Sequence, residues 1–205
     1  MFCCLWGVFL NCSVARIFRE AESLVLKANG YGGLRTVGLR PFSVYGEGDK
    51  LVVDPVQKTG LVYPSPHYHN LSYVGNLVRW HLLAEEGLEK KPEVVGGQAY
   101  FVADEEKQLL TRDAFNDFLI EALRVKPAPL NTTILKFLCY ILPTVDWYMC
   151  GTSNAQVFQV NPIAYVFMVS EARYDVSKGI KDLGYTTRYD MGSIRENFRR
   201  YYKLN

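Results

Sequence analysis

The sequence has no paired-cysteine framework. Its five cysteines, Cys3, Cys4, Cys12, Cys139 and Cys150, include no CxxC pair, and an odd number scattered over 205 residues does not staple a small secreted fold. Small buried thiols in a reducing compartment are the expectation. An excess of one charge is also missing: 23 basic against 21 acidic residues leave a formal charge of +2, too weak a field to point to nucleic acid. Aromatic residues make up 14% but are scattered, so no basic–aromatic ladder offers itself to single strands. No apolar run approaches the ~20 residues that span a bilayer. The strongest candidate, residues 137–142, stops at Pro143 and is flanked by Lys136 and Asp146. A core or substrate-lid helix is its expected role, with contact at a membrane surface as the second reading. A metal set is equally absent: His67 and His69 would share one face of a strand, but no third ligand lies nearby, so no metal is expected.

What is present suits a globular domain with a real core, since hydrophobic residues make up 49% and charged residues 21%. Residues 1–15, MFCCLWGVFLNCSVA, resemble a signal peptide only faintly because the basic n-region is missing. Residues 1–18 therefore read as a divergent apolar amino end, and residues 19–205 as one domain. From Phe18 the apolar positions 18, 21, 24, 25 and 28 follow a 3.6-residue period, which predicts a helix ended by Asn29-Gly30. Residues 34–41 read as a buried strand, with Val37 and Leu39 around Gly38 and Pro41 as its stop. A loop carrying Gly46 and Gly48 follows; these glycines allow either a tight turn or close approach to a ligand. Helix, short strand and glycine-bearing loop are the rhythm of a parallel α/β sheet, which binds ligands at the carboxyl ends of its strands. Asn76 reads as the N-cap of the next helix, with Leu77, Val78, Leu82 and His81 turned toward the sheet and His81 packed in the core. Residues 195–203 read as a basic amphipathic helix end with a solvated face, carrying Arg199, Arg200 and Lys203.

Five motifs carry a family resemblance. They are Glu20-Ala21-Glu22-x-Leu24-Val25-Leu26-x-Ala28-Asn29-Gly30, Leu39-Arg40-Pro41-x-x-x-Tyr45-Gly46-x-Gly48, Tyr73-Val74-Gly75-Asn76-Leu77-x-x-x-His81-x-Leu83-Ala84, Gly97-Gln98-x-Tyr100-Phe101-Val102-x-Asp104, and the stretch from Tyr174-Asp175-Val176-Ser177 to Leu183-Gly184-Tyr185. In this order the chain resembles, over about residues 20–189, the carboxyl portion of the 3β-hydroxysteroid dehydrogenase/isomerase family of extended short-chain dehydrogenases. The resemblance implies an α/β fold, the carboxyl part of a Rossmann-like parallel sheet with a small, mostly helical substrate lobe. It implies NAD as cofactor near Pro41 and Val44, and a steroid or sterol-like substrate near Tyr45, Gly46 and Asn76. Contact with a membrane surface, pairing with a second copy, and a place in the cytoplasm or on the endoplasmic reticulum surface are further implications.

The chain departs from the family's pattern in two ways. The family's glycine turn after its first strand cradles the cofactor pyrophosphate, whereas the nearest cluster here, Gly30-Tyr31-Gly32-Gly33, follows a helix. The family's catalytic Tyr and Lys, four residues apart on one helix, fall by counting on Val14 and Phe18, and neither can take a proton. The implied expectation is NAD-dependent oxidation of a 3β-hydroxysteroid by the lineage, with this chain inactive alone, as a truncated or alternatively started product would be. The alternatives are a non-catalytic sterol-binding or partner-pairing fragment, or a related oxidoreductase acting on another alcohol such as a nucleotide sugar or a flavonoid-type alcohol.

Overall fold

The computed structural model describes residues 13–104, 110–129 and 173–204, with the single positions 131, 133, 134, 136, 137, 141, 170 and 171. All five cysteines and most of the 137–142 segment lie outside the described residues. The helices are α1 (Ser13–Lys27), α2 (Val53–Thr59), α3 (Val74–Lys90), α4 (Pro92–Val95), α5 (Arg112–Leu123), α6 (Ser177–Leu183) and α7 (Met191–Tyr201). The strands are β1 (Gly38–Pro41), β2 (Val44–Tyr45), β3 (Leu61–Val62), β4 (Tyr68–His69), β5 (Ser72–Tyr73), β6 (Ala99–Val102), β7 (Leu110–Thr111) and β8 (Ala128–Pro129). The chain forms two compact units: Met1–Tyr45 with Asn70–Leu109 and Ala172–Gly192, and Gly46–His69 with Leu110–Glu171 and Ser193–Asn205.

The first unit is built on two parallel strand pairs. β1 runs beside β6 with Gly38 opposite Ala99, and β2 beside β5 with Tyr45 opposite Tyr73. The predicted strand at 34–41 is therefore shorter than its apolar pattern suggests: Leu34 is exposed, and only residues 38–41 pair. α1 lies against this strand, with Glu22 Oε1 and Leu26 Cδ2 3.3 and 3.6 Å from where a Cβ on Gly38 would stand. α1 ends as predicted, with Gly30 at φ 88° and Asn29 Oδ1 accepting from the Thr36 amide at 2.9 Å.

Helix α3 carries the core of this unit. Trp80, Leu83, Ala84, Val95, Tyr100, Val102, Leu183 and Tyr185 form one buried cluster, with Val37, Leu39 and Leu77 at its margin. Trp80 stacks on Tyr185 at 3.8 Å and donates its indole N–H to the Ala103 carbonyl at 3.0 Å. The inner face of α3 is thus Asn76, Trp80, Leu83, Ala84 and Gly87. The predicted face is corrected: Val78, Leu82 and His81 are exposed, and the His81 ring bonds back to the Leu77 carbonyl at 2.9 Å. Two glycines make the close packing possible. A Cβ on Gly179 would stand 2.9 Å from the Trp80 ring, and one on Gly87 would stand 2.9 Å from Val95 Cγ2.

The described residues of the second unit include α2, α5 and most of α7. β3 pairs in parallel with β8, and β4 pairs antiparallel with β7. Gly60 takes φ 67° at the end of α2, where a Cβ would stand 1.9 Å from the Lys126 carbonyl oxygen, so only glycine fits. Phe115, Phe118, Leu119, Ala122 and Leu123 of α5 are buried, as are Ile194 and Phe198 of α7, and the Phe118 and Phe198 rings lie 6.2 Å apart. The amphipathic reading of the tail holds: Ile194 and Phe198 face inward while Arg200 and Lys203 are exposed. Among the described residues no helix is long and apolar enough to cross a membrane.

Candidate active site at the strand ends

The carboxyl ends of the parallel pairs in the first unit converge on one acid. Asp104 follows β6 by two residues and is buried. Its Oδ2 accepts from the Tyr73 amide at 3.1 Å, its Oδ1 accepts from Asn76 Nδ2 at 2.9 Å, and the Tyr45 hydroxyl is a further partner. Its own amide donates to the Leu71 carbonyl at 2.8 Å. Burial pushes the Asp104 carboxyl up to about 6, against the pull of these donors. One side chain therefore ties the ends of β2, β5 and β6 to the start of α3.

Asn76 completes the network. Nδ2 donates to Asp104 Oδ1 and to the Tyr189 carbonyl, both at 2.9 Å, and Oδ1 accepts from the amides of Arg188 at 3.2 Å and Tyr189 at 2.9 Å. The predicted N-cap is corrected: α3 begins at Val74 after Tyr73, and Asn76 lies inside the first turn, fully buried. Its side chain turns away from the helix end to hold the segment after Tyr185. Around this acid–amide pair stand three tyrosines, with Tyr45 5.7 Å from Tyr73 and Tyr73 5.6 Å from Tyr189. Gly75 keeps Tyr73 and Tyr189 close, since a Cβ there would stand 2.7 Å from the Tyr73 ring and 2.9 Å from the Tyr189 ring.

The structure brings Tyr45 and Asn76 together through Asp104 and leaves the other sequence-derived site residues apart from that network. Pro41 and Val44 are exposed on either side of a turn through Ser43 at φ 40°. Gly46 is buried and its carbonyl accepts from the Asp49 amide at 3.2 Å, closing the loop. Gly48, at φ 74°, donates its amide to the Tyr202 hydroxyl at 3.1 Å, and that hydroxyl bonds Asp54 Oδ1 at 2.6 Å. The positive φ of Gly48, which side chains rarely adopt, is what favours glycine at this position. Val14 and Phe18 both lie on α1, and Phe18 is exposed. The Gly30–Gly33 turn follows the carboxyl end of α1, where the helix dipole disfavours phosphate. Among the described residues no group of three or more His, Cys, Asp or Glu could hold a metal. In the sequence Asp104 and Tyr73 read only as motif positions, with no site role, and Tyr189 is not singled out. The available signal was an acid two residues past a buried strand, at the end where open sheets bind ligands.

Parallel strand pairs flanked by helices, with the polar network at their carboxyl ends, are the arrangement of a Rossmann-like α/β fold. The solved structure of RMD from Pseudomonas aeruginosa complexed with NADPH shares this fold, with a TM-score of 0.58 at 13% identity over 93% of this chain and 55% of that one. A family model described as the 3-beta hydroxysteroid dehydrogenase/isomerase family matches residues 13–133, and the chain belongs to that family. It is 28% identical over 188 residues to the 3beta-hydroxysteroid-dehydrogenase/decarboxylase isoform 1 of Arabidopsis thaliana, covering 86% of this chain and 42% of the relative. It is 40% identical over 97 residues to the 3 beta-hydroxysteroid dehydrogenase type 7 of Homo sapiens, covering 41% of this chain and 26% of the relative. The matches thus span less than half the length of either relative.

Proposed function

We propose that the first unit carries the substrate and nicotinamide side of an NAD-dependent oxidation of a 3β-hydroxysteroid, and that the 205-residue polypeptide does not turn over by itself. The observation that carries the reading is the Asp104-centred network, which fixes Tyr45 and Asn76 at strand ends in a chain of this family. Asn76 acts by positioning, because all its amide bonds go to the protein. Exposed Pro41 and Val44 would meet the nicotinamide end of NAD, which when bound accepts the hydride. Tyr45 would border the steroid. The Gly30–Gly33 turn does not suit the pyrophosphate, for it stands at the wrong end of a helix. Val14 and Phe18, on the positions that resemble the family's Tyr and Lys, offer neither proton acceptor nor cation. A surface position on the endoplasmic reticulum or in the cytoplasm, and pairing with a second copy, belong to the same reading.

The test combines binding with turnover. The chain should bind a 3β-hydroxysteroid, read by quenching of tryptophan emission, and should yield no NADH with NAD present. Steroid binding without turnover supports the reading, and the absence of steroid binding overturns it. A non-catalytic sterol-binding role would be favoured if binding ignores the 3-hydroxyl.

A further inference from the structure

Among the described residues of the second unit, Arg112 is a buried cation with no anion beside it. Arg112 is 5% exposed, and among the described residues its guanidinium makes no hydrogen bond or ion pair; its Nε is enclosed without a partner. Aromatic rings flank it instead, with Tyr63 5.0 Å and Phe115 5.9 Å from the guanidinium carbon. These contacts help, but a buried guanidinium ordinarily pairs with a carboxylate, and an isolated one is unfavourable. Among the described residues no carboxylate acts on its charge, and burial pushes its pKa below the ordinary value. The neighbouring Asp113 is directed elsewhere, its Oδ1 accepting from the Ser65 amide at 2.8 Å.

The surroundings add to the positive potential. Arg112 is the first residue of α5, a helix of 12 residues, so its charge sits on the positive end of the helix dipole, where cations are normally disfavoured. Its amide donates to the His67 carbonyl at 2.9 Å. His69 is buried nearby and is pushed down to about 4 by burial, by Arg112 and by His67, so it stays neutral near pH 7. The charge awaiting a partner is therefore a single positive one between aromatic walls. That matches a monoanion on an apolar body better than a phosphate dianion, which would call for a second cation.

We propose that Arg112, walled by Tyr63 and Phe115 beside His69, forms a site that receives the carboxylate of an apolar ligand. A planar guanidinium and a carboxylate are matched for two parallel hydrogen bonds, and low local polarity strengthens them. The site belongs to the second unit, and its test does not depend on the oxidation proposed above.

The probe is benzoate against benzamide, which share the ring and differ in charge, with the melting temperature of the full chain as readout. At ten times its dissociation constant benzoate should raise the melting temperature by about 3–5 °C. Benzamide at equal concentration should leave it unchanged. R112M should abolish the benzoate response, and R112K, which keeps the charge but not the fork, should weaken it about tenfold. Equal effects of benzoate and benzamide on the unaltered chain, or no effect of either, would overturn the proposal without recourse to a variant. A benzoate response that survives in folded R112M would do the same. A steroid carboxylate compared with its methyl ester then separates the two readings: discrimination lost in R112M supports the site, whereas equal binding of both leaves steroid binding standing and sinks the carboxylate site.

Discussion

Asn76 uses its whole amide inside the protein, and its loss would strand several groups at once. Asn76→Ala would leave Asp104, two backbone amides and the Tyr189 carbonyl without their shared partner. Stability should fall by about 2–4 kcal/mol, well beyond the ~1 kcal/mol of a lost cap. Urea unfolding checks this, and a loss below about 1 kcal/mol would mean the network is not formed. Asp104 gives a pH signature of its own. Its carboxyl is raised from 3.8 to about 6 in the folded chain, so folding favours the protonated acid. This group's stabilising contribution is complete below about pH 4 and disappears as pH rises through about 6. Carboxyl carbon resonances should show Asp104 titrating near 6, and titration at or below 4 would refute the buried placement. His69 runs the other way. With its pKa lowered from 6.5 to about 4, its contribution is present above 6.5 and lost as pH falls through 4. The two oppose each other between about 4 and 6, so site-specific probes are needed in place of a global melt.

The helices were more legible in sequence than their faces. The residues after Tyr73 announce a helix, but apolar side chains at 77, 78, 80, 82, 83 and 84 surround much of its circumference, so period alone does not choose the inner side. Packing chooses it. Trp80 needs a flat partner and finds Tyr185, while Ala84 and Gly87 admit Val95 and Leu183 to the helix backbone. Those partners lie up to about a hundred positions away, beyond any local pattern. The same is true of Asp104 and Asn76: an acid after a strand and an Asn near a helix start are visible in the sequence, but their bond and the burial that perturbs the acid come from tertiary structure. By contrast, the stop at Asn29-Gly30 and the Leu183-Gly184-Tyr185 turn were readable because a left-handed glycine is a local requirement; Gly184 takes φ 66°. Gly179→Ala tests the packing at α3. Its Cβ would press on the Trp80 ring from 2.9 Å, and the ring is held by its stack and its bond to the Ala103 carbonyl. A loss of about 1–3 kcal/mol with a shifted tryptophan emission is expected; unchanged stability would show that α6 does not sit against Trp80.

At the scale of the whole chain, the proposed function separates family membership from turnover. The family model places the chain in the 3-beta hydroxysteroid dehydrogenase/isomerase family, and the structure places the Asp104 network at the strand ends. The positions resembling the catalytic Tyr and Lys hold Val14 and Phe18, and the glycine cluster stands at a helix carboxyl end. Loss of a general base alone typically lowers a rate by about 10²–10⁴-fold, and poor placement of the cofactor adds to that. V14Y combined with F18K should therefore fail to restore turnover, because the phosphate end of the cofactor would still lack its cradle. The most direct test is NADH formation by the purified, unaltered 205-residue chain given NAD and a 3β-hydroxysteroid. The account predicts none above the protein-free control, and steroid-dependent NADH from that chain would contradict it.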